Sequence, residues 1–290
     1  MAMILDPDSA VREIASGNCV GVGGSVNAGH PMALVRALIR SGVGELTVVG
    51  LTNGLDLDFL VAAGAARTIS AAYVGAEDIV GLPPGIRWAA EEGRLDLWES
   101  DEGIHLASLR ARALKLPYTT WTGTLGTAPV SHPLVEEAVD ESTGARYLKV
   151  RPLKVDAALV WAEAADEDGN LLLWGPDMGD EWLRNAADIR IAQVERIVPT
   201  AVLSRHPDRV MPWAAEIVVR APLSTHPFGS TSLRVDDEWI VAYATTVANA
   251  RASNDPDRLQ AFFDEWMRDV AGEDGYLEKV GIARLRALMI

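Results

Sequence analysis

Two stretches of the chain carry residue types and spacings that could do chemistry. The first is Asn18–Arg40, NCVGVGGSVNAGHPMALVRALIR, in which the apolar run Cys19–Val22 breaks into Gly23, Gly24 and, after four residues, Gly29. Glycines let a loop backbone come close to a bound group, and the helix start that follows would offer unpaired N–H groups to an anion. Ser25 and His30 in this loop, and Asn53 after the next strand, could add side chains to such a cradle. The second stretch is acidic: Glu99, Asp101 and Glu102, with His105 three residues further on. On one helix Glu102 and His105 would share a face, and two such groups can shift each other's pKa and act as base and partner. The same acids also suit the first turn of a helix, where they face the positive end of its dipole. A tight strand–helix turn without a ligand likewise accounts for the glycines. Residue types alone leave both pairs of readings open.

The surrounding pattern says which elements hold these residues. An apolar alternation of period 2 at Cys19–Val22 gives way to a period near 3.6 at Met32, Leu34, Val35, Leu38 and Ile39, which reads as strand, loop, helix. Pro31 fits a first helical position, where its missing N–H costs nothing. The pattern then repeats. Strands are expected at Glu45–Gly50, Thr68–Val74 and Arg94–Trp98, and helices at Leu55–Gly64, Pro84–Gly93 and Asp101–Lys115. Further strands are expected at Val155–Ala162, Leu171–Trp174, Ile189–Ile197 and Glu216–Arg220, and closing helices at Asp257–Val270 and Tyr276–Met289. Such alternation implies an α/β fold, a doubly wound, mostly parallel sheet with helices on both faces. Its ligands bind outside the carboxyl ends of the strands, where the Gly23 loop falls. Pro117–Lys154, with several threonines, Gly123, Gly126, Pro129 and Pro133, reads as a loop-rich excursion near the site, with Gly126 and Thr127 closing over a substrate. The acidic turn at Asp166–Gly169 reads as solvated. The nine tryptophans are spread along the chain and read as packing. With no repeat or linker, residues 1–290 are expected to form one domain.

Composition excludes several classes. At 290 residues with 49% hydrophobic and 23% charged residues, the chain can bury a core. A net charge of −15 argues against nucleic-acid binding, which needs a basic patch. No segment approaches 18 uninterrupted apolar residues, so no membrane span is expected, and MAMILDPDSA lacks the pattern of a signal peptide. The single cysteine, Cys19, sits in an apolar strand as an inert thiol, which fits a cytoplasmic protein. His132, His206 and His226 lack metal-ligand spacing.

The glycine spacing is not GxGxxG, since Val26 stands where a third glycine would be needed, and no Gly-Lys-Ser/Thr follows. It resembles the amino-terminal signature of the α-type chain of class I coenzyme A transferases: a strand, Gly-Gly-Phe, three residues, Gly, any residue, Pro. Gly23, Gly24, Gly29 and Pro31 match, and Ser25 stands where the family usually has Phe, a departure that bears on the shape of the acyl pocket and leaves the fold inference intact. AEEGRLDLWESDEG (Ala90–Gly103), LKLPY with GTLGT (Leu114–Thr127), VDAALVWAEAADEDGN (Val155–Asn170) and AADIRIAQVERIV (Ala186–Val198) follow in the family's order. The likeness runs from about Gly17 to Val198. The part from about 200 to 290, with APLSTHPFGS, is similar to the glutaconate-transferase and steroid-ring-degradation branches.

The resemblance implies a CoA thioester as substrate and no permanently bound cofactor. It implies a heterodimer or heterotetramer with a β-type subunit, whose glutamate attacks the thioester and forms an acyl-glutamyl anhydride. The Glu-x-Gly-x-x-Gly loop that carries this glutamate is missing here: Glu92-Gly93 and Glu102-Gly103 both lack the second glycine. In the steroid branch, a glutamate at the position of Glu102 would act as base in a hydrolase. On this resemblance Glu102 and His105 are catalytic candidates, and Gly23, Gly24, Ser25, Gly29, His30, Asn53, Gly126 and Thr127 substrate-binding ones. Sugar-phosphate-binding regulators share the architecture, but no DNA-binding helix-turn-helix is appended.

Overall fold

Leu46–Asn53 (LTVVGLTN) and Val155–Ala165 (VDAALVWAEAA) are near-continuous apolar strands, the composition of strands covered on both faces. In the computed structural model, which describes residues 1–76, 78–127, 132–174 and 177–290, they lie inside a parallel sheet. Val48 and Leu159 join the core formed with helices Met32–Ser41 and Leu55–Ala62. Val49, Leu51 and Ala158 face Leu109 and Leu183 of helices Glu102–Ala113 and Asp180–Ala186 on the other side. The sheet is doubly wound.

Across the sheet the strands run Met3–Leu5, Ile217–Arg220, Ala187–Ile197, Val155–Ala165, Cys19–Val22, Leu46–Asn53, Ala66–Val74 and Asp96–Leu97, each parallel to its neighbour. From Cys19–Val22 the chain winds outward to Asp96–Leu97. It then returns to pair Val155–Ala165 with the other side of Cys19–Val22, Val22 against Leu159, and winds the opposite way. The winding reverses between these two strands. Past Val22 the central strand ends in the glycine loop, while its neighbour continues through Trp161 to Ala165. That step leaves a crevice at the carboxyl edge.

Several elements differ from the sequence expectation. Pro117–Lys154 is loop-rich, as expected, but its three short strands Thr119–Trp121, Arg146–Val150 and Val135–Val139 join in one antiparallel sheet packed on Ile104 and Ala107. Its short, half-exposed strands carry little periodicity, and its Pro129 lies outside the described residues. The helix Asp237–Ser253 had no counterpart in the sequence reading; its buried Trp239, Tyr243, Val247 and Ala250 recur at helical spacing, but Val241, Ala242 and Ala244 on other faces blur the stripe. The helix expected at Tyr276–Met289 is two, Gly272–Val280 and Ile282–Leu288, parted at Gly281 with φ of 89°. The one expected at Asp257–Val270 begins at Pro256 and passes into a π-helical turn at Asp264–Arg268. In the Asp166–Gly169 turn Glu167 and Asp168 are exposed as expected, but Asp166 is buried and accepts hydrogen bonds from Asn170 Nδ2 at 2.7 Å and Thr200 Oγ1 at 2.7 Å. Cys19 behaves as expected, burial pushing its thiol up to about 12.

Candidate active site

The glycine loop is held by its own backbone. Gly23 N donates to Leu159 O at 2.8 Å, Ser25 N to Ala28 O at 2.9 Å, Val26 N to Thr52 O at 2.7 Å and Gly29 N to Gly229 O at 2.9 Å. Gly24, at φ of 105°, takes a conformation that side-chain-bearing residues avoid, and a Cβ there would stand 2.5 Å from His30 Nδ1. Its N–H donates to both carboxylate oxygens of Asp180, at 3.2 Å each. The helix start is also occupied. Met32 and Ala33 are buried, and Ala33 N donates to Gln193 Oε1 at 2.8 Å. The expected open helix N-terminus for an anion is therefore not there.

His30 and Asn53 do not face the crevice. Both are fully buried beneath the loop. His30 Nδ1 lies 3.2 Å from Gly23 O and 3.1 Å from Asp56 Oδ2, and Nε2 lies 3.0 Å from Val26 O. Acceptors on both ring nitrogens suit the imidazolium. Burial opposes that charge, but Asp56 outweighs it and the histidine's pKa is raised. Asn53 Nδ2 donates to Val22 O at 3.0 Å and to Asp56 Oδ2 at 2.8 Å. These two residues frame the loop.

Above the loop, Gly24, Ser25 and Gly29 line a cavity of about 260 Å³. Its other walls are Trp161 from the neighbouring strand, Leu173, Trp174 and Met178 from the segment before the Asp180–Ala186 helix, Asp180 at the first position of that helix, and Ser230 and Thr231 where APLSTHPFGS ends. Trp161 is fixed from behind: its Nε1 donates to Glu195 Oε1 at 3.2 Å, and Leu223 N donates to Glu195 Oε2 at 2.8 Å. Burial raises the Glu195 carboxyl. Thr231 Oγ1 donates to Glu163. Asp180 is pushed up to about 6, first by burial and then by Asp177, against the Gly24 N–H, Arg184 and His30.

A second cleft adjoins the first. Glu102, exposed at the first turn of its helix, lines it with Leu51, Thr52, Leu106, Gly179 and Trp182. Met178 belongs to both walls, and Ser25 Oγ meets Thr52 Oγ1 at 3.5 Å between them. Asp101 beside Glu102 is the helix cap, accepting from Ile104 N at 2.6 Å. The expected Glu102–His105 partnership does not form. His105 is buried on the sheet side of the helix, its Nε2 3.4 Å from Ser70 Oγ, which also meets His132 Nε2 at 3.1 Å. Burial holds His105 down to about 3, so it stays neutral. Gly126 and Thr127 line neither cleft; Thr127 Oγ1 donates to Thr124 O at 2.7 Å within its own exposed turn.

Trp161, Trp174, Met178, Asp180, Ser230 and Thr231 were not singled out by sequence. The segment DMGDEW, Asp177–Trp182, carries a usable signal, an acid and a glycine ahead of two acids, as at a helix start. Nothing in the sequence distinguishes Trp161 from a packing tryptophan. Among the described residues, no group of three or more His, Cys, Asp or Glu is placed to hold a metal, and no helix is long and apolar enough to cross a membrane.

A cavity at the point of reversal of a doubly wound parallel sheet lies where α/β proteins of this kind bind their ligands. Residues 4–213 match the family model for coenzyme A transferase. The chain belongs to the coenzyme A transferase family, and so to a family of enzymes. It is 24% identical to the A component of glutaconate CoA-transferase from Acidaminococcus fermentans, over 98% of this chain and 93% of that one. It is 35% identical to the cholesterol ring-cleaving hydrolase IpdA subunit of Rhodococcus jostii, over 68% of this chain and 69% of that one. The crystal structure of glutaconate coenzyme A-transferase from Acidaminococcus fermentans superposes with a TM-score of 0.91 at 23% identity, covering 100% of this chain and 96% of that chain. At that identity the superposition speaks for the fold.

Proposed function

We propose that this chain is the α subunit of a heteromeric class I CoA-transferase, moving CoA between an acyl-CoA and a free carboxylic acid. The observation that carries the proposal is an acyl-sized cavity whose described wall holds no glutamate. The carboxylate in its wall, Asp180, is an aspartate that accepts from Gly24 N at 3.2 Å through either oxygen, and the other polar side chains among the described wall residues are hydroxyls and indoles. The nucleophile is then a glutamate of a β-type partner. Its carboxylate attacks the thioester carbonyl and expels the CoA thiolate. The thiolate attacks the glutamyl carbonyl of the resulting anhydride and releases the acyl group as its acid. The acceptor acid runs the same two steps in reverse. In this scheme the glycine loop is a wall of the acyl site, and the oxyanion donors come from the partner, because the N–H groups of Gly23, Gly24, Ser25, Val26, Ala28 and Gly29 are engaged within the chain. CoA is substrate, no resident cofactor is required, and the setting is the cytoplasm.

A second reading is favoured by one observation: Glu102 is exposed in the adjoining cleft. There it could act as base in a CoA-thioester or ring-cleaving hydrolase, as the relative from Rhodococcus jostii suggests. To separate the two, the chain is co-purified with its β-type partner and given acyl-CoAs with and without free carboxylic acids, and products are followed by mass spectrometry. Transfer that needs an acceptor, survives Glu102→Gln and traps CoA on a partner glutamate supports the transferase. Turnover without acceptor that is lost in Glu102→Gln moves the assignment to the hydrolase. No stable complex and neither activity would defeat both.

A further inference from the structure

We infer that the glycine-loop cavity selects acyl groups whose far end is uncharged, a ring or a short chain, and rejects those ending in a second carboxylate. This rests on the CoA-thioester reading above and names its substrate class.

The walls argue for an apolar guest. The lining is mainly apolar and includes two indoles, Trp161 and Trp174, with Leu173 and Met178, while Ser25, Ser230 and Thr231 supply hydroxyls. About 150 Å³ suffices for a benzene-sized ring, so a cavity of about 260 Å³ admits a ring with a substituent.

The charges argue against a second carboxylate. Asp180 is the charged lining group, and the described residues of the wall include no Arg, Lys or His. At about pH 8 a carboxyl titrating near 6 is ionised. Behind Trp161 and Thr231 stand two more acids, Glu195 and Glu163.

Arg184, Arg196, Arg209 and His30 are engaged elsewhere, and the His206 ring, 4.9 Å from that of Trp174, does not itself line the cavity. Arg184 is almost fully buried, with Nη2 3.5 Å from Asp177. Arg196 holds Glu163 at 2.9 Å. Arg209 lies over the Trp174 ring and pairs with Asp208 at 3.5 Å. His30 is sealed beneath the loop against Asp56. A guest carboxylate in this cavity would meet Asp180 across a few ångströms with no cation in the described wall to balance it, a repulsion of about 100-fold in affinity.

The test uses the complex with the β-type partner and two matched pairs, benzoyl-CoA against 4-carboxybenzoyl-CoA and butanoyl-CoA against glutaryl-CoA. Acyl-CoA consumption is measured with and without acetate. The expected kcat/KM favours the uncharged member of each pair by about 100-fold, and Asp180→Asn reduces that ratio at least tenfold. A ratio near one or reversed in the unaltered complex overturns the inference while leaving the CoA-thioester reading standing. That is the result a cation contributed by the partner would give. A ratio unmoved by Asp180→Asn overturns the assignment to Asp180. Should the variant complex fail to assemble, the unaltered ratios still decide. If none of the four thioesters binds or is consumed, the CoA-thioester reading falls and the inference with it.

Discussion

Asp180 concentrates the electrostatics of the site. Its carboxyl, raised to about 6 by burial and Asp177, faces the Gly24 N–H, Arg184 and His30 as the groups favouring ionisation. A carboxyl whose folded pKa lies above the unfolded value binds more protons in the native state, so stability falls as pH rises from about 4 through 6 and stays lower above. Asp180→Asn keeps an oxygen for Gly24 N and removes the charge. It should stabilise the chain by about 1–3 kcal/mol at about pH 8 and by almost nothing near about pH 3. Urea unfolding at the two pH values measures the difference; an equal effect at both would show that shape, not charge, is what the substitution changed. The neutral, buried His105 marks the other extreme. Its place beside Glu102 in sequence misled because position i+3 on that helix is turned toward Ser70 and His132.

At the scale of elements, the loop is clamped from both sides. Beneath it, Asp56 from the start of helix Leu55–Ala62 gathers His30 and Asn53. From the side, Arg36 of helix Met32–Ser41 donates to Glu273 Oε2 at 3.0 Å, His226 O at 2.7 Å and Ser224 O at 2.9 Å, and stacks on Tyr276 at 3.7 Å. Arg36 therefore ties the glycine-loop helix to helix Gly272–Val280 and to the segment that ends in Ser230 and Thr231. Removing one partner of a buried pair strands the other charge. Arg36→Met should cost about 3–5 kcal/mol, and adding Glu273→Leu should recover part of it, the carbonyls of Ser224 and His226 remaining unpaired. Denaturant unfolding of the two single variants and the double variant checks the cycle; additive losses would show that the pair is not coupled.

For the whole molecule, the last third is built into the same core as the glycine-loop helix. Trp239, Tyr243, Phe263, Met267 and Tyr276 pack in one cluster with Leu34, Leu38 and Phe59. Tyr243 Oη donates to Asp58 Oδ2 at 2.7 Å, in the helix that lies under the loop. A fragment ending at Val235 would expose that cluster and should lose cooperative unfolding and near-ultraviolet circular dichroism; a fragment that keeps both would make the C-terminal helices an appendage. The sequence by itself determined the alternation of strands and helices, the parallel sheet, the glycine loop at a carboxyl edge and the family signature, because periodicity, turn residues and caps are local. Tertiary structure alone decided what the loop faces. The helix start looked open in sequence, but Gln193, 160 positions away, fills it. Asp180 closes on Gly24 across 156 positions. Trp161 and Thr231 become walls of one cavity because the sheet reverses its winding between Cys19–Val22 and Val155–Ala165. Such contacts depend on which strands become neighbours, and no local pattern encodes them.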